Sequence, residues 1–292
     1  MKNRLRNKIS YQIFMLPAFL LFTVFTVVPL IMCLVYSFTN YSSHREMDFV
    51  GLENYIKAFQ DELVRNSIGY TLVFTIVTTL GITALSLIVA ILFARDSHTG
   101  GFQRAVFYFP SCISLMVAGY AWRSFFASDE NGLINKIICF FGGNQVGWLS
   151  DSTAAQIAVI IVAIWFDLGW CAVLFYAYIQ SIDPSLYEVA KLDGANGFQK
   201  AWYVTIPMIV PAIAVNLTVL LSQGLKVYEI PQSLTKGGPV TATYTMTHAI
   251  LVRGVTEWKF GEASAIGVLV LIITAVLCLL QIKFTEKGET EL

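Results

Sequence analysis

Six apolar stretches, at 13–38, 67–94, 105–126, 154–179, 207–227 and 263–284, each reach the roughly 20 residues a helix needs to cross a bilayer core. In hydrocarbon every backbone N–H and C=O must be satisfied within the protein, so a spanning chain is left with helices or a closed barrel. Runs of this length and apolarity are read as spanning helices. The composition agrees: 56% of residues are hydrophobic, 13% are charged and the mean hydropathy is +0.66. The expected fold class is therefore an all-α integral membrane protein with six transmembrane helices.

Lys2, Arg4, Arg6 and Lys8 precede the first run, which is longer than the roughly 7 to 15 apolar residues of a signal peptide. An uncleaved first span with its amino terminus inside is expected, kinked or locally reset at Pro17 and Pro29. Six spans then place both termini in the cytoplasm: a 1–12 amino-terminal segment, a 13–284 permeation domain with an inner loop at 180–206, and a 285–292 tail. Lysine and arginine divide almost evenly, 10 inside and 9 outside, so the orientation rests on the amino-terminal cluster and the shorter inner segments. Gly69, Gly81, Ala84 and Ser86 suit close helix packing in the second span. Leu133, Ile134, Ile137, Ile138 and Phe141 recur at helical spacing and predict a short surface helix in the second outer loop.

Several function classes drop out. A net charge of zero offers no excess cations for nucleic acid. Cys33, Cys112, Cys139, Cys171 and Cys278 are scattered without Cys-x-x-Cys spacing, and His44, His98 and His248 lie far apart, so neither a disulfide frame nor a metal site is expected. No G-x-x-x-x-G-K-[ST] occurs, hence no phosphate loop for ATP. No clustered acid, base and nucleophile set suggests catalysis.

The inner loop at 180–206 is a polar island between apolar spans. Asp183-Pro184 is a helix start, since an aspartate caps free amides and proline fits the first turn. The expected helix runs Pro184–Leu192, with Leu186, Val189 and Ala190 on one face and Asp193-Gly194 as the stop. Phe198, Ala201, Trp202 and Thr205 then repeat at i, i+3, i+4 and i+7, predicting a second short helix that enters the membrane near Pro207. An amphipathic connector resting on lipid would satisfy the same pattern.

The island resembles the EAA loop of binding-protein-dependent ABC importer permeases, with pattern E-A-A, three residues, G, nine residues, I-x-L-P. Glu188, Ala190, Gly194 and Pro207 stand at the matching places, and Val189, Val204 and Ile206 are apolar replacements. The resemblance covers nearly the whole chain and is most similar to the sugar-importer branch, the first permease subunit of maltose-type systems. Gly51-Leu52-Glu53-Asn54-Tyr55, Arg104 through Pro110 with Gly119 and Trp122, Gly132-Leu133-Ile134-Asn135, Trp148-Leu149 and Leu234-Thr235-Lys236-Gly237-Gly238-Pro239 follow that branch's order. The long extra outer domain of the maltose permease is absent.

The resemblance implies a non-catalytic permease subunit of a type I ABC importer in a bacterial or archaeal cell membrane. It would work beside a second, homologous permease, a cytoplasmic ATPase dimer that binds ATP and Mg, and an extracytoplasmic solute-binding protein. This chain would itself bind no cofactor. The Pro184–Leu192 helix would be the coupling helix, with Glu188, Ala190, Asp193, Gly194 and Pro207 as its ATPase-coupling residues. For the solute path, Asp167 is an ionisable group in the middle of the fourth span, where such groups are costly. Trp170 shares its face at i+3, and Asn216 and Gln223 share a face of the fifth span at i and i+7. Counted from the inner ends, Asp167 and Asn216 lie about 18 and 15 Å deep and could meet across one cavity, whereas Lys226 is expected to snorkel outward. Aromatic faces with amide and carboxylate groups suit a carbohydrate; helix-to-helix contact with the second permease is the competing role. Tyr228, Glu229, Gly237, Gly238 and Pro239 are placed for an outer gate or binding-protein contact. A non-sugar solute, such as a glycerol phosphodiester or polyamine, and an ion-coupled secondary transporter remain the alternatives.

Overall fold

The computed structural model describes residues 14–42, 47–94, 99–129 and 132–289. The basic segment at 1–12, part of the inner link at 95–98 and the end of the tail lie outside the described residues. Among those described there is no strand, only an isolated antiparallel bridge between Thr39 and Phe49.

The helices, in chain order, are α1 (Phe14–Tyr36), α2 (Glu53–Gln60), α3 (Glu62–Phe93), α4 (Gly100–Cys112, ending in a 3₁₀ turn) and α5 (Leu115–Phe125). They continue as α6 (Leu133–Phe140), α7 (Ser152–Ile179), α8 (Pro184–Leu192), α9 (Gly197–Met208) and α10 (Val210–Gly224). Last come α11 (Glu229–Thr235), α12 (Met246–Leu251) and α13 (Phe260–Glu289). Four of these, α1, α3, α7 and α13, are long and apolar enough to cross a membrane. The expected surface helix is α6, while α2, α11 and α12 fall in segments that the sequence reads only as outer loops.

The third and fifth expected spans are not single straight helices. α4 and α5 meet at 99°, and α9 and α10 at 70°. In the first pair Pro110 sits in a 3₁₀ turn and Ile113 and Ser114 are extended. In the second, Pro211 cannot donate to the carbonyl of Pro207, and the chain breaks at Ile209, whose φ is −105°. Before Pro29 the helix is reset locally rather than broken: α1 runs on as one helix, with a π-turn at Thr23–Val27 widening the backbone just before the ring.

Two compact units divide the chain. The first comprises Met1–Glu62 and Ala249–Leu269. Here the buried Asn54 amide donates to the carbonyls of Ser37 and Thr39 at 2.9 and 2.8 Å, pinning α2 beneath the end of α1. Gly261 N–H donates to Tyr41 O at 3.0 Å; a Cβ on Gly261 would lie 2.1 Å from Thr39 O, so only glycine admits this approach.

The second unit comprises Leu63–His248 and Val270–Leu292. One cluster joins Tyr70, Phe74, Phe126, Val159, Val162, Ile230 and Leu234; another, next to α8, joins Ala90, Phe175, Ile179, Ile182, Ile209 and Ala212. The threonines of α3 turn their hydroxyls inward: Thr71, Thr75 and Thr78 each donate to the carbonyl four residues earlier at 2.7 Å, which satisfies them without water. Gly81 packs against Ile164 as its size allows, whereas nothing approaches Gly69.

Candidate functional site

Two places in the second unit carry the residues singled out above. The first is the inner bracket. Asp183 accepts from Ser185 N–H at 2.9 Å, so α8 starts at Pro184 as expected, and this bond holds the Asp183 carboxyl below the usual carboxylate range. The helix stops in a Schellman closure: Gly194 N–H donates to Lys191 O at 3.1 Å and Ala195 N–H to Ala190 O at 2.9 Å, with Gly194 at φ +79°. Asn196 and Gln199 then form a reciprocal capping box that opens α9, a start signal the sequence reading passed over. Tyr187 O–H lies 3.0 Å from Thr205 Oγ1 and ties the two arms together.

The bracket is braced by its own hydrogen bonds, and its outer surface is exposed. Leu192 is 87% exposed, and Val189, Phe198, Trp202 and Tyr203 are also exposed, with Phe198 stacked on Trp202 at 6.3 Å. Glu188 and Asp193 are exposed and make no ion pair among the described residues. Glu188, Lys191 and Lys200 line a cavity of about 620 Å³ on one side of α8. Ala190, Asp193 and Pro207 line another of about 450 Å³ on the other. Pro207 lies in the last turn of α9, before the bend.

The second place is a cavity of about 390 Å³ between α3, α7, α10 and the start of α11. Asp167 and Gln223 both line it, as the sequence suggests, together with Thr78, Ser222, Phe74 and Phe166. Lys226 and Glu229 line it too, so Lys226 shares the space of Asp167 and Glu229 belongs here as well as to the outer loop. Asn216 and Trp170 are elsewhere. Asn216 is fully buried, its Nδ2 3.5 Å from Thr83 Oγ1 and its Oδ1 without a partner, and Trp170 packs on Ile82, Cys171 and Leu220.

The backbone around Asp167 is clamped on both sides. Ser111 Oγ donates to Phe166 O at 2.8 Å and Ser86 Oγ to Leu168 O at 2.9 Å. A Cβ on Gly169 would fall 1.7 Å from Phe107 O, so α4 reaches α7 only because residue 169 is glycine. Ser111 and Gly169 carry no pattern that a single sequence could expose.

Tyr228 lies tilted against His248 at 4.7 Å, and His248 is held by Thr245 and by Gln232, 3.2 Å from its Nε2. Burial pushes the His248 pKa down to about 4. Gly237 and Gly238 close α11: Gly237 N–H donates to Pro231 O at 3.3 Å and Gly238 N–H to Thr235 O at 3.0 Å, ahead of a cis Gly238–Pro239 bond.

Among known proteins, the chain is 30% identical, over 98% of its length and 97% of the other's, to the probable starch degradation products transport system permease protein AmyD of Thermoanaerobacterium thermosulfurigenes. It is 32% identical to the probable ABC transporter permease protein YurN of Bacillus subtilis, over 98% of this chain and 99% of that one. Its fold matches a chain of a bacterial alginate ABC transporter solved in complex with an alginate pentasaccharide-bound periplasmic protein. That match has a TM-score of 0.85 and 24% identity, and covers 99% of this chain and 97% of the other. Residues 1–284 match the family described as binding-protein-dependent transport system inner membrane component, and the chain, a multi-pass membrane protein with this permease fold, belongs to that family.

Proposed function

We propose that this chain is the transmembrane permease subunit of an ATP-driven ABC importer that moves a carbohydrate from an extracytoplasmic binding protein into the cytoplasm by alternating access. In this reading the two bent pairs, α4–α5 and α9–α10, complete six spans with both termini inside. A second, homologous permease faces the Asp167 cavity, and a cytoplasmic ATPase dimer carries ATP and Mg.

The observation that supports it best is the bracket: a self-braced helix pair with an exposed, largely apolar face and an unpaired Glu188. A connector resting in lipid has no use for a Schellman closure, a capping box and a Tyr187–Thr205 tie on an exposed polar loop. A lever seated in a partner does, because force passes through it only if it does not bend. Glu188 and Asp193 would meet basic groups of the ATPase, Ala190 would keep the contact face shallow, Gly194 would set the turn, and Pro207 would end the arm. The Asp167 cavity offers what a sugar ring needs, with Phe74 and Phe166 for its C–H faces and Asp167, Gln223 and Ser222 for its hydroxyls. The starch-product and alginate transporters among its relatives agree with a carbohydrate cargo.

The test is uptake of labelled oligosaccharide into proteoliposomes holding the chain with its second permease, ATPase and binding protein. Uptake should require enclosed ATP and persist when ion gradients are collapsed. Uptake driven by an ion gradient without the ATPase would overturn the proposal.

A further inference from the structure

The first unit holds a cavity of its own, about 340 Å³, which shares no lining residue with the one around Asp167. Its walls come from the segment after α1, from α2, and from the turn that joins the π-turn Val252–Thr256 to α13. Four charged side chains line it, two of each sign: Lys259 pairs with Glu257 at 2.8 Å across the lining, Lys57 pairs with Glu53 outside it at 2.7 Å, and Glu262 is the fourth. Tyr41 and Trp258 add aromatic surface, and the size lies within the range of small-molecule sites.

The walls are braced from behind. Arg253, itself outside the lining, bonds Glu257 at 2.5 Å and Asp61 on its other arm, while Glu262 lies 4.0 Å from its Nε. Lys259 Nζ lies 2.8 Å from Glu257, and Lys259 N–H donates to Arg253 O at 2.8 Å. Such supporting contacts fix the orientation of polar groups before a ligand arrives. Trp258 sets the site apart. Its φ is +57°, a conformation that a bulky residue adopts only under strain, and it is still 52% exposed. Glycine would be free of that strain, and the exposed half of the indole gains little from burial to offset it. Backbone strain at an exposed aromatic beside a braced polar cavity is accounted for when the ring serves a ligand.

We propose that this cavity is a separate carbohydrate-binding site that takes one uncharged sugar ring against Trp258, with Glu257 and Glu262 accepting from its hydroxyls and Lys57 and Lys259 donating to them. Balanced charge favours a neutral polyol over an anion or a cation of the same size. The inference rests on the carbohydrate reading above and on the outward placement of the segments at 39–66 and 228–262.

The experiment is saturation-transfer NMR on the assembled transporter in nanodiscs without binding protein, with maltose, cellobiose and lactose as neutral probes and trigalacturonate as the anionic one. At least one neutral disaccharide should receive saturation and trigalacturonate should not. Trp258→Gly, which suits the backbone and so keeps the fold, should weaken binding by about tenfold, the scale of a lost aromatic contact. Trp258→Tyr should restore most of it. Absence of signal with every neutral sugar, an equal signal with trigalacturonate, or a signal that Trp258→Gly leaves at its wild-type strength would overturn the site. If Trp258→Gly spares the sugar signal but weakens stimulation of the ATPase by the binding protein, the cavity receives a protein side chain and the sugar site is likewise overturned. ATP-driven uptake measured alongside separates the two proposals. Uptake without a Trp258-dependent signal removes only this site, and a Trp258-dependent signal without uptake removes only the transport reading.

Discussion

Gly194 shows how one residue sets the geometry of the inner loop. Its φ of +79° lets the chain reverse after Leu192 and aim the capping box of α9. A β-branched side chain there should cost about 1 to 2 kcal/mol of local stability. Amide exchange across α8 is therefore expected to speed up in Gly194→Val and to stay near wild type in Gly194→Asn, which tolerates the left-handed region. His248 gives a second prediction at this scale. Its folded pKa, about 4, lies below the ordinary value of 6.5, so the unfolded chain binds more protons between those values. Its contribution to stability is complete above pH 6.5 and is lost as pH falls towards 4, by about 3 kcal/mol across that window. Thermal unfolding in detergent should show this acid slope, and His248→Gln should flatten it. The places of Asp167 and Gly194 were legible because an ionisable group within an apolar run and a glycine after a helical run have few physical explanations. Asn216 and Trp170 were not, since the rotation of a helix about its axis depends on neighbours that one sequence does not display.

The elements divide along the same line. α8 begins and ends where Asp183-Pro184 and Asp193-Gly194 place it, because both signals are local and act through the backbone. α1, α3, α7 and α13 were legible from length and apolarity alone. The 99° and 70° bends were not, since a proline marks a possible break but the angle is set by what packs on either side. α7 is the element on which the cavity depends, and its contact with α4 has no slack. Gly169→Leu should force the two helices apart and destabilise the protein by about 1 to 3 kcal/mol. A lowered thermal midpoint would register this, whereas Gly69→Ala, which meets nothing within 4 Å, should be near neutral.

At the scale of the whole molecule, family and cargo route separate cleanly. The inner bracket carries the family pattern and presents an uncovered face, while the cavity that lodges Asp167, Gln223, Lys226 and Glu229 belongs to other helices. On the proposed function, energy input and solute choice reside in different residues, and each could be altered alone. The central claim is that the bracket transmits the work of ATP hydrolysis to the spanning helices. The most direct measurement is the ratio of solute imported to ATP hydrolysed in the reconstituted complex, for wild type, Glu188→Ala and Leu192→Asp at matched membrane levels. The expected result is a ratio that falls several-fold in both variants, through weakened seating of the ATPase. An unchanged ratio in both, with the ATPase still bound, would contradict the claim.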